Sequence, residues 1–334
     1  MEYGCKNKVV VISGGTSGIG LAAARAFWQD GAIVSIVGRD GTRGMIALAA
    51  IAGCKDPGAA VFPGLPDEAD TLSGAEGLAG DGSGARDSSV PGTVEELARL
   101  RYIRADVTKP ADCRRAAAIA AYYGKDRIDI LVNSAGMYQE KRIENVSLAD
   151  YNRIMDANVK GTLLMIQACQ PYMLPHGETA AGAADDGTGS AAEDTGNAAE
   201  GTAVAEGACF GAAQDRSIIN IASDAGIGGN YGCPVYCASK GAVVSLTKAL
   251  ALDFAPDIRV NCICPGDVDT PLLAVQLAAA EGGYTKEEMG EGYPLGRIAA
   301  AEEVAHVICS VASPANSFMT GAVIPVDGGL TAIG

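Results

Sequence analysis

The sequence predicts a doubly wound α/β fold, in which a parallel β-sheet is covered by helices on both faces. Short runs of β-branched and other apolar residues alternate along the chain with segments of helical periodicity. A strand that is buried on both faces of a sheet is apolar throughout, and the run at 9–12 has this character. The 334 residues, 48% of them hydrophobic, are enough for one large domain spanning 1–334.

The predicted elements follow this alternation from the first strand onward. That strand, at 9–12, precedes a helix at 18–30, which ends at Gly31, and a second strand at 32–37. The remaining predicted strands are 102–104, 128–132, 217–221, 259–263 and 322–325, and the remaining predicted helices are 111–123, 148–173 and 236–255.

The formal net charge of −15 is concentrated in two segments. Residues 56–96 hold nine acidic residues and one basic residue, and residues 177–215 hold eight acidic residues and neither lysine nor arginine. Both segments are rich in Gly, Ala, Ser and Asp, and neither buries enough side chain to offset its ordering entropy. We interpret them as flexible surface insertions in a single domain, with a docking arm or a substrate lid as open alternatives. An acidic chain of this kind is not expected to bind nucleic acid.

Cysteine, histidine and hydropathy patterns narrow the class of protein further. The ten cysteines are scattered through apolar segments of a long chain, which indicates free thiols in the core. The two histidines, His176 and His306, lie in no cluster with metal-ligand spacing, so no metal site is predicted. No apolar run approaches the roughly 18 residues of a membrane span. We therefore expect a soluble cytoplasmic protein without membrane contact.

A glycine-rich turn follows the first predicted strand and opens the first predicted helix. Its glycines let the backbone turn tightly and let a pyrophosphate approach the amides at the helix amino terminus, where the helix dipole favours negative charge. Its position between strand and helix is the context in which such a turn binds a dinucleotide. The residues of this predicted cradle are Gly14, Ser17, Gly18, Ile19 and Gly20.

Tyr236 and Lys240 are spaced four residues apart on a predicted helix, which places a phenol and an ammonium on one face. A neighbouring cation favours the phenolate and lowers the pKa of a tyrosine toward working pH. A tyrosine tuned in this way exchanges a proton with an alcohol or a ketone. On its own the spacing is common, and a solvated lysine beside a half-buried ring is its simpler interpretation.

The glycine spacing G-x-x-x-G-x-G and the Tyr236/Lys240 pair together resemble the short-chain dehydrogenase/reductase family, whose fold is Rossmann-like. The resemblance covers nearly the whole chain outside the two acidic segments, and the further matching segments occur in family order. They are Asp106-Val107, Asn133-Ser134-Ala135-Gly136, Asn158-Val159-Lys160-Gly161, Ser223, Pro265-Gly266-Asp267-Val268-Asp269-Thr270 and Val326-Asp327-Gly328-Gly329.

The resemblance implies a catalytic tetrad and a nicotinamide cofactor. Tyr236 is expected to act as the acid or base, and Lys240 to lower its pKa and to bind the nicotinamide ribose. Ser223 is expected to hold the reacting oxygen, and Asn158 to bind a water that links Lys240 to solvent. The family's cofactor-binding positions fall, beyond the glycine cradle, on Arg39, Asp106, Val107, Asn133, Ala135, Gly136, Tyr236, Lys240, Pro265, Gly266, Val268 and Thr270.

The end of the second predicted strand bears on the choice between NADP(H) and NAD(H). An enzyme selecting NAD usually has an acidic residue there to bind the ribose 2′-hydroxyl. In this family that position falls on Gly38, and Arg39 follows it. An arginine binds a 2′-phosphate, so NADP(H) is favoured, although Ser17 replaces a base found in many NADP-preferring relatives and Asp40 lies close by.

The resemblance implies interconversion of a secondary alcohol and a ketone. The segment after Thr270 is apolar, which favours an uncharged substrate such as a hydroxysteroid or bile acid. A 3-oxoacyl thioester is the alternative, because 294–297 and 302–305 resemble the subgroup that reduces such compounds. A non-catalytic protein that senses NADP(H) is the alternative of another class. Relatives pair helices equivalent to 148–173 and 236–255, so a homodimer or homotetramer is expected.

Overall fold

The computed structural model describes residues 2–54, 93–174, 215–279 and 285–333. Its centre is a parallel sheet of seven strands in the order β3-β2-β1-β4-β5-β6-β9, and a short parallel pair, β7-β8, lies apart from it. The strands are β1 (Val9–Ser13), β2 (Ile33–Gly38), β3 (Leu100–Arg104), β4 (Ile130–Asn133), β5 (Arg216–Ile221), β6 (Ile258–Pro265), β7 (Val268–Asp269), β8 (Ala299–Ala300) and β9 (Val323–Val326).

Helices connect these strands and cover both faces of the sheet. They are α1 (Gly18–Gln29), α2 (Gly41–Ala52), α3 (Val94–Leu97), α4 (Pro110–Tyr123), α5 (Leu148–Met155), α6 (Gly161–Cys169), α7 (Pro234–Asp253), α8 (Pro271–Ala279), α9 (Lys286–Glu291) and α10 (Ala301–Ala312). This arrangement confirms the predicted Rossmann-like doubly wound fold.

The alternation of side chains along β1 divides the core into two layers. Val10 and Ile12 belong to the cluster that packs beneath α1, α2 and α10, whereas Val9 and Val11 belong to the cluster that packs beneath α4 and α6. All five residues of β1 are buried, which is why its sequence is apolar on both faces.

All seven predicted strands are present, with ends that differ by one or two residues. The predicted helix at 148–173 is present but interrupted, because a π-helical turn (Asp156–Lys160) joins α5 to α6 and a 3₁₀ turn (Gln170–Tyr172) ends the segment. The helices α2 and α10 were not predicted. In α2, two glycines in the sequence weaken the helical pattern, and the Asp40 carboxylate stabilises its first turn by accepting a hydrogen bond from Arg43 N at 3.0 Å.

Most of the two predicted insertions, 56–96 and 177–215, lies outside the described residues. Their carboxyl-terminal ends are among the described residues. Trp28 Nε1 donates a hydrogen bond to the Glu96 carbonyl at 2.9 Å, and Lys8 Nζ lies 2.9 Å from an Asp215 carboxylate oxygen. These contacts attach both segments to the domain just before β3 and β5.

The order of strands reverses between β1 and β4, and the chain leaves these neighbouring strands toward opposite sides of the sheet. Such a switch point opens a crevice at the carboxyl ends of the strands, which is where sheets of this type bind ligands. Helix α7 runs beside this crevice. Among the described helices it alone is long and apolar enough to span a membrane, but its buried residues recur on one face that packs on the sheet, as expected of a core helix.

Candidate active site

The glycine-rich turn brings the first helix close to the loop after β4. Gly14 and Gly18 have φ angles of +73° and +53°, a region that glycine adopts without strain. A Cβ on Gly14 would lie 2.6 Å from Ala135 N, and a Cβ on Gly20 would lie 2.5 Å from the Gly14 carbonyl oxygen. No side chain fits at either position, so the main chain itself lines the start of α1. This cradle fits the pyrophosphate of a dinucleotide.

A continuous cleft of about 2540 Å³ runs along the carboxyl ends of the strands. It contains nearly all of the residues that the sequence analysis assigned to cofactor binding. Those lining it are Gly14, Ser17, Gly18, Ile19, Arg39, Asp106, Val107, Ala135, Gly136, Tyr236, Lys240, Pro265, Gly266, Val268 and Thr270.

Two predicted cofactor-binding residues, Gly20 and Asn133, are not among the described residues that line the cleft. Gly20 supports the cradle from behind. Asn133 is buried between strands, where Ser13 Oγ donates to its Oδ1 at 3.3 Å and its Nδ2 donates to Asn220 Oδ1 at 3.0 Å. Asn220 in turn donates to Thr247 Oγ1 at 2.9 Å, so the amide of Asn133 links β1, β4, β5 and α7.

Lys240 is buried beneath the ring of Tyr236. Its Nζ lies 5.7 Å from the ring centroid and donates a hydrogen bond to the Ile221 carbonyl at 2.9 Å. Burial lowers the pKa of Lys240 from its usual 10.5 to about 8. Gly136 packs against this lysine, since a Cβ there would lie 3.5 Å from Nζ.

The pKa of Tyr236 is raised, which differs from the lowering that we predicted. Burial is the main cause, and the neighbouring Asp224 carboxylate raises it further, while a hydrogen bond with Ser223 opposes both. The ammonium of Lys240 is directed to the Ile221 carbonyl, and it is not among the groups that shift this phenol. In the ligand-free protein the tyrosine therefore keeps its proton at neutral pH.

Ser223 lies at the end of β5 and is also buried. Its backbone is extended, and its side chain caps the short turn Asp224–Gly226 by accepting a hydrogen bond from Ala225 N at 3.2 Å. The Ser223 hydroxyl donates to Asp224 Oδ1 at 2.6 Å. Ser223, Tyr236 and Lys240 line the same end of the cleft.

Asn158 lies behind the cleft, in the π-helical turn, and is 1% exposed. Its Nδ2 donates to the Met137 carbonyl and to Ser239 Oγ, both at 3.0 Å. Ser239 Oγ donates to the Tyr236 carbonyl at 2.7 Å, so Asn158 joins the loop after β4 to the turn of α7 that carries the tyrosine. The side-chain amide has its hydrogen bonds within the protein.

Several residues of the cleft had no role in the sequence analysis. Tyr138 packs edge-on against Tyr236, with ring centroids 4.9 Å apart. Asp224 and Asp267 line the same end of the cleft as the tyrosine, and burial raises the pKa of both carboxyls. Arg43 lies with Arg39 at the other end. Only the adjacency of Asp224 to Ser223 was a signal that the sequence offered.

The fold and the cleft are those of a dinucleotide-dependent oxidoreductase, because the glycine-rich turn and the Tyr236/Lys240 pair share one crevice. Comparison with known proteins identifies the family. The family model for enoyl-(acyl carrier protein) reductase matches residues 73–195 and 197–331. The chain is 30% identical to meso-2,3-butanediol dehydrogenase of Serratia marcescens, over 98% of this chain and 95% of the relative. It belongs to the short-chain dehydrogenase/reductase family.

Two further similarities agree with this assignment. The chain is 31% identical to 3-alpha-(or 20-beta)-hydroxysteroid dehydrogenase of Mycobacterium tuberculosis, over 97% of this chain and 90% of the relative. Among solved structures, ligand-free aldohexose dehydrogenase of Thermoplasma acidophilum superposes with a TM-score of 0.69 at 25% identity, covering 100% of this chain and 98% of the other. The protein is an NAD(P)-dependent oxidoreductase that acts on CH–OH donors, which excludes the alternative of a non-catalytic sensor.

Proposed function

We propose that this enzyme interconverts an uncharged, largely apolar secondary alcohol and its ketone with NADP(H), and that Tyr236 transfers the proton. The observation that carries this proposal is the convergence of Ser223, Tyr236 and Lys240 at one end of the cleft whose other end holds the phosphate cradle. A cofactor held in that cradle would share the cleft with these three side chains.

The chemistry divides between the cofactor and the protein. The nicotinamide, when bound, supplies or accepts the hydride at the carbinol carbon. Tyr236 gives its phenolic proton to the ketone oxygen or takes the proton of the alcohol, and Ser223 holds that oxygen by a hydrogen bond. Lys240 binds the nicotinamide ribose and supplies positive charge beneath the ring of Tyr236. Asn158 holds the loop and the helix turn between which these groups lie.

The proposed preference for NADP(H) is supported by the residues around the end of β2. Gly38 leaves no room for an acidic side chain, since a Cβ there would lie 2.7 Å from Thr16 Cγ2. The Asp40 carboxylate caps α2. Arg39 and Arg43 line the cleft here, and Arg104 joins them from the end of β3. Three guanidinium groups favour a 2′-phosphate over a hydroxyl.

The proposed substrate class rests on the lining of the catalytic end. Helix α8 contributes Pro271, Leu272 and Leu273 to the cleft wall, which supports an apolar substrate body. Apart from Lys240, the described side chains at this end carry no positive charge, and Asp224 and Asp267 add two carboxyl groups. Anionic substrates are disfavoured there. A hydroxysteroid fits, as the similarity to a hydroxysteroid dehydrogenase also suggests.

The alternative, reduction of a 3-oxoacyl thioester, receives less support from the structure. It rested on the resemblance of 294–297 and 302–305 to a subgroup of the family. Here the Arg297 guanidinium binds both carboxylate oxygens of Glu303 at 2.7 Å, and Glu303 also accepts from Ala300 N at the start of α10. These side chains stabilise a helix start rather than the cleft.

We also propose a cytoplasmic homo-oligomer. Exposed apolar side chains on α5, α6 and α7 (Leu148, Tyr151, Leu163 and Leu252) offer surface for helix pairing between copies. The nine cysteines of the described residues are free, in agreement with a reducing compartment. Light scattering coupled to size-exclusion chromatography would measure the mass in solution, and a monomer would contradict this proposal.

The decisive experiment is a panel of secondary alcohols and ketones, including steroids, 3-oxoacyl thioesters and sugars, assayed with both cofactors by nicotinamide absorbance. We expect turnover with an apolar substrate and NADP(H). The variant Tyr236→Phe, which keeps the ring and removes the hydroxyl, should lose at least about a hundredfold in kcat. Activity retained in Tyr236→Phe would overturn the proposed mechanism, and turnover of thioesters alone would overturn the proposed substrate class.

A further inference from the structure

Asp224 follows Ser223 directly and binds the only proton that the serine side chain can donate. The Ser223 hydroxyl donates to Asp224 Oδ1 at 2.6 Å, and the same oxygen accepts from Ala225 N at 2.7 Å. Both side chains line the catalytic end of the cleft. A residue proposed to hold the reacting oxygen is thus already engaged by a carboxylate.

This hydrogen bond decides what Ser223 offers to a substrate. A hydroxyl donates one hydrogen bond and accepts up to two. While Asp224 is ionised it accepts the proton of Ser223, and Ala225 N already donates to Ser223 Oγ, so the serine presents only its remaining lone pair to the cleft. A ketone oxygen, which only accepts, is repelled by that lone pair. An alcohol gives its one hydroxyl proton to Tyr236, so its oxidation requires the enzyme with one proton fewer. Once Asp224 is protonated, its own O–H donates to Ser223 Oγ, and the serine proton becomes available to a ketone.

We propose that Asp224 is a positioning residue that sets, by its protonation, whether Ser223 can donate a hydrogen bond to the reacting oxygen. This inference rests on the proposed function, since it requires Ser223 to hold the reacting oxygen. When a solvent proton binds to the Asp224 carboxylate, the Ser223 hydroxyl keeps its own proton and changes its hydrogen-bond acceptor. It then donates to the ketone oxygen instead of to the carboxylate. Asp224 makes and breaks no bond to carbon, and the equilibrium of the overall reaction is unchanged.

The surroundings of Asp224 raise the pKa of its carboxyl above the usual value for an aspartate. Burial raises the pKa of this carboxyl, the hydrogen bonds from Ser223 and Ala225 N oppose the rise, and the Asp327 carboxylate adds to it. The other ionisable groups that face it are Tyr236 and Lys240 from α7, Asp267 from the start of β7, and Tyr293, which is hydrogen-bonded to Asp267. The Lys240 ammonium is directed to the Ile221 carbonyl and is not among the groups that shift Asp224.

The test compares pH profiles of kcat/KM for a ketone and for its alcohol in the wild-type protein and in Asp224→Asn. In the wild type, kcat/KM for the ketone should fall about tenfold per pH unit above the ionisation of Asp224, and kcat/KM for the alcohol should rise to its plateau through the same pH. In Asp224→Asn this inflection should disappear from both profiles and be replaced by the ionisation of Tyr236 at higher pH.

Asp267→Asn is the matched control, because Asp267 is a half-buried carboxylate of the same cleft, as Asp224 is, and it accepts a hydrogen bond from Tyr293 instead of Ser223. It should keep the inflection, and Asp224→Glu should restore one. An inflection that persists in Asp224→Asn, or that disappears in both asparagine variants, would overturn the proposal.

A second measurement does not depend on turnover. Asp224→Asn removes the negative charge beside Tyr236, so the phenol should ionise at lower pH. Phenolate absorbance follows this ionisation, and the signal that is missing in Tyr236→Phe is the one that belongs to Tyr236. An unchanged phenol titration in folded Asp224→Asn, verified by circular dichroism, would count against the coupling. If the wild type turned over no alcohol or ketone, the proposed function would fail while this titration still decided whether Asp224, Ser223 and Tyr236 act together.

Discussion

Asn158 and Met137 bind each other through a reciprocal pair of hydrogen bonds: Met137 N donates to Asn158 Oδ1 at 2.8 Å, and Asn158 Nδ2 donates to the Met137 carbonyl at 3.0 Å. The pair closes the loop after β4 onto the π-helical turn. Asn158 also reaches Ser239 beside Tyr236. One buried amide therefore fixes the relative position of the loop and the catalytic helix.

Replacing Asn158 by alanine should reduce both stability and kcat. The change leaves Met137 N without its acceptor in a buried setting, which costs about 1–3 kcal/mol of unfolding free energy. Chemical denaturation and steady-state kinetics measure the two effects. Asn158→Asp keeps the acceptor for Met137 N and loses both side-chain donors. If Asn158→Asp and Asn158→Ala lost equal amounts of stability, the hydrogen bond from Met137 N to Asn158 Oδ1 would not be important.

Gly14→Ala should abolish dinucleotide binding, because the new Cβ would collide with Ala135 N at 2.6 Å and push the cradle apart. Gly4→Ala is a closely matched control, since Gly4 has the same φ of +73° and no atom within 4 Å of the added Cβ. Both variants carry the backbone strain of about 1–3 kcal/mol, but only Gly14→Ala should lose nicotinamide fluorescence enhancement. If Gly4→Ala lost dinucleotide binding as Gly14→Ala does, backbone strain, and not the collision with Ala135 N, would explain the loss.

The double variant Arg39→Ala/Arg43→Ala should weaken NADPH binding by about tenfold to a hundredfold and leave NADH binding nearly unchanged. Each guanidinium that binds a phosphate contributes a charge-assisted hydrogen bond, which a 2′-hydroxyl does not require. Isothermal calorimetry with the two cofactors measures the selectivity. Arg114→Ala, at an exposed position outside the cleft, serves as the control. An unaltered NADPH to NADH ratio in the double variant would rule out the proposed cofactor preference.

Lys240 should make a contribution to the stability of the cofactor-free protein that rises between about pH 8 and 10.5. Its pKa is near 8 in the folded chain and 10.5 when exposed, so the unfolded chain binds more protons in this window. Raising the pH then favours the folded state. Denaturation at several pH values should show the stability of the wild type, measured relative to that of Lys240→Met, rising through this window. Parallel profiles would mean that the lysine is not buried as described.

The fold and most of the cleft were predictable because they depend on local patterns. A strand followed by a glycine turn and a helix specifies the cradle, and Tyr236 and Lys240 meet because they lie one helical turn apart. The sequence analysis missed Arg43, Arg104 and Asp224. They reach the cleft because of how α2, β3 and the turn after β5 pack together, and this packing cannot be predicted from a short sequence motif. The same holds for Asn133, which matches a binding motif yet lies between strands.

The pKa of Tyr236 was beyond sequence reasoning for a different reason. The spacing of Tyr236 and Lys240 fixes which side chains are neighbours but leaves open where the ammonium points. The Ile221 carbonyl binds it, and two carboxyl groups from distant segments, Asp224 and Asp267, face the phenol instead. Electrostatics of this kind follow from the assembled structure.

The two acidic segments begin after α2 and after the 3₁₀ turn that follows α6, and they end just before β3 and β5. The chain therefore returns at the amino ends of strands, whereas Ser223, Tyr236 and the glycine cradle belong to the carboxyl ends. The length of the chain can therefore change at the amino ends of the strands without altering the distances between the side chains at the carboxyl ends. The protein is accordingly a favourable starting point for shortened or re-looped versions that keep the same catalytic rim.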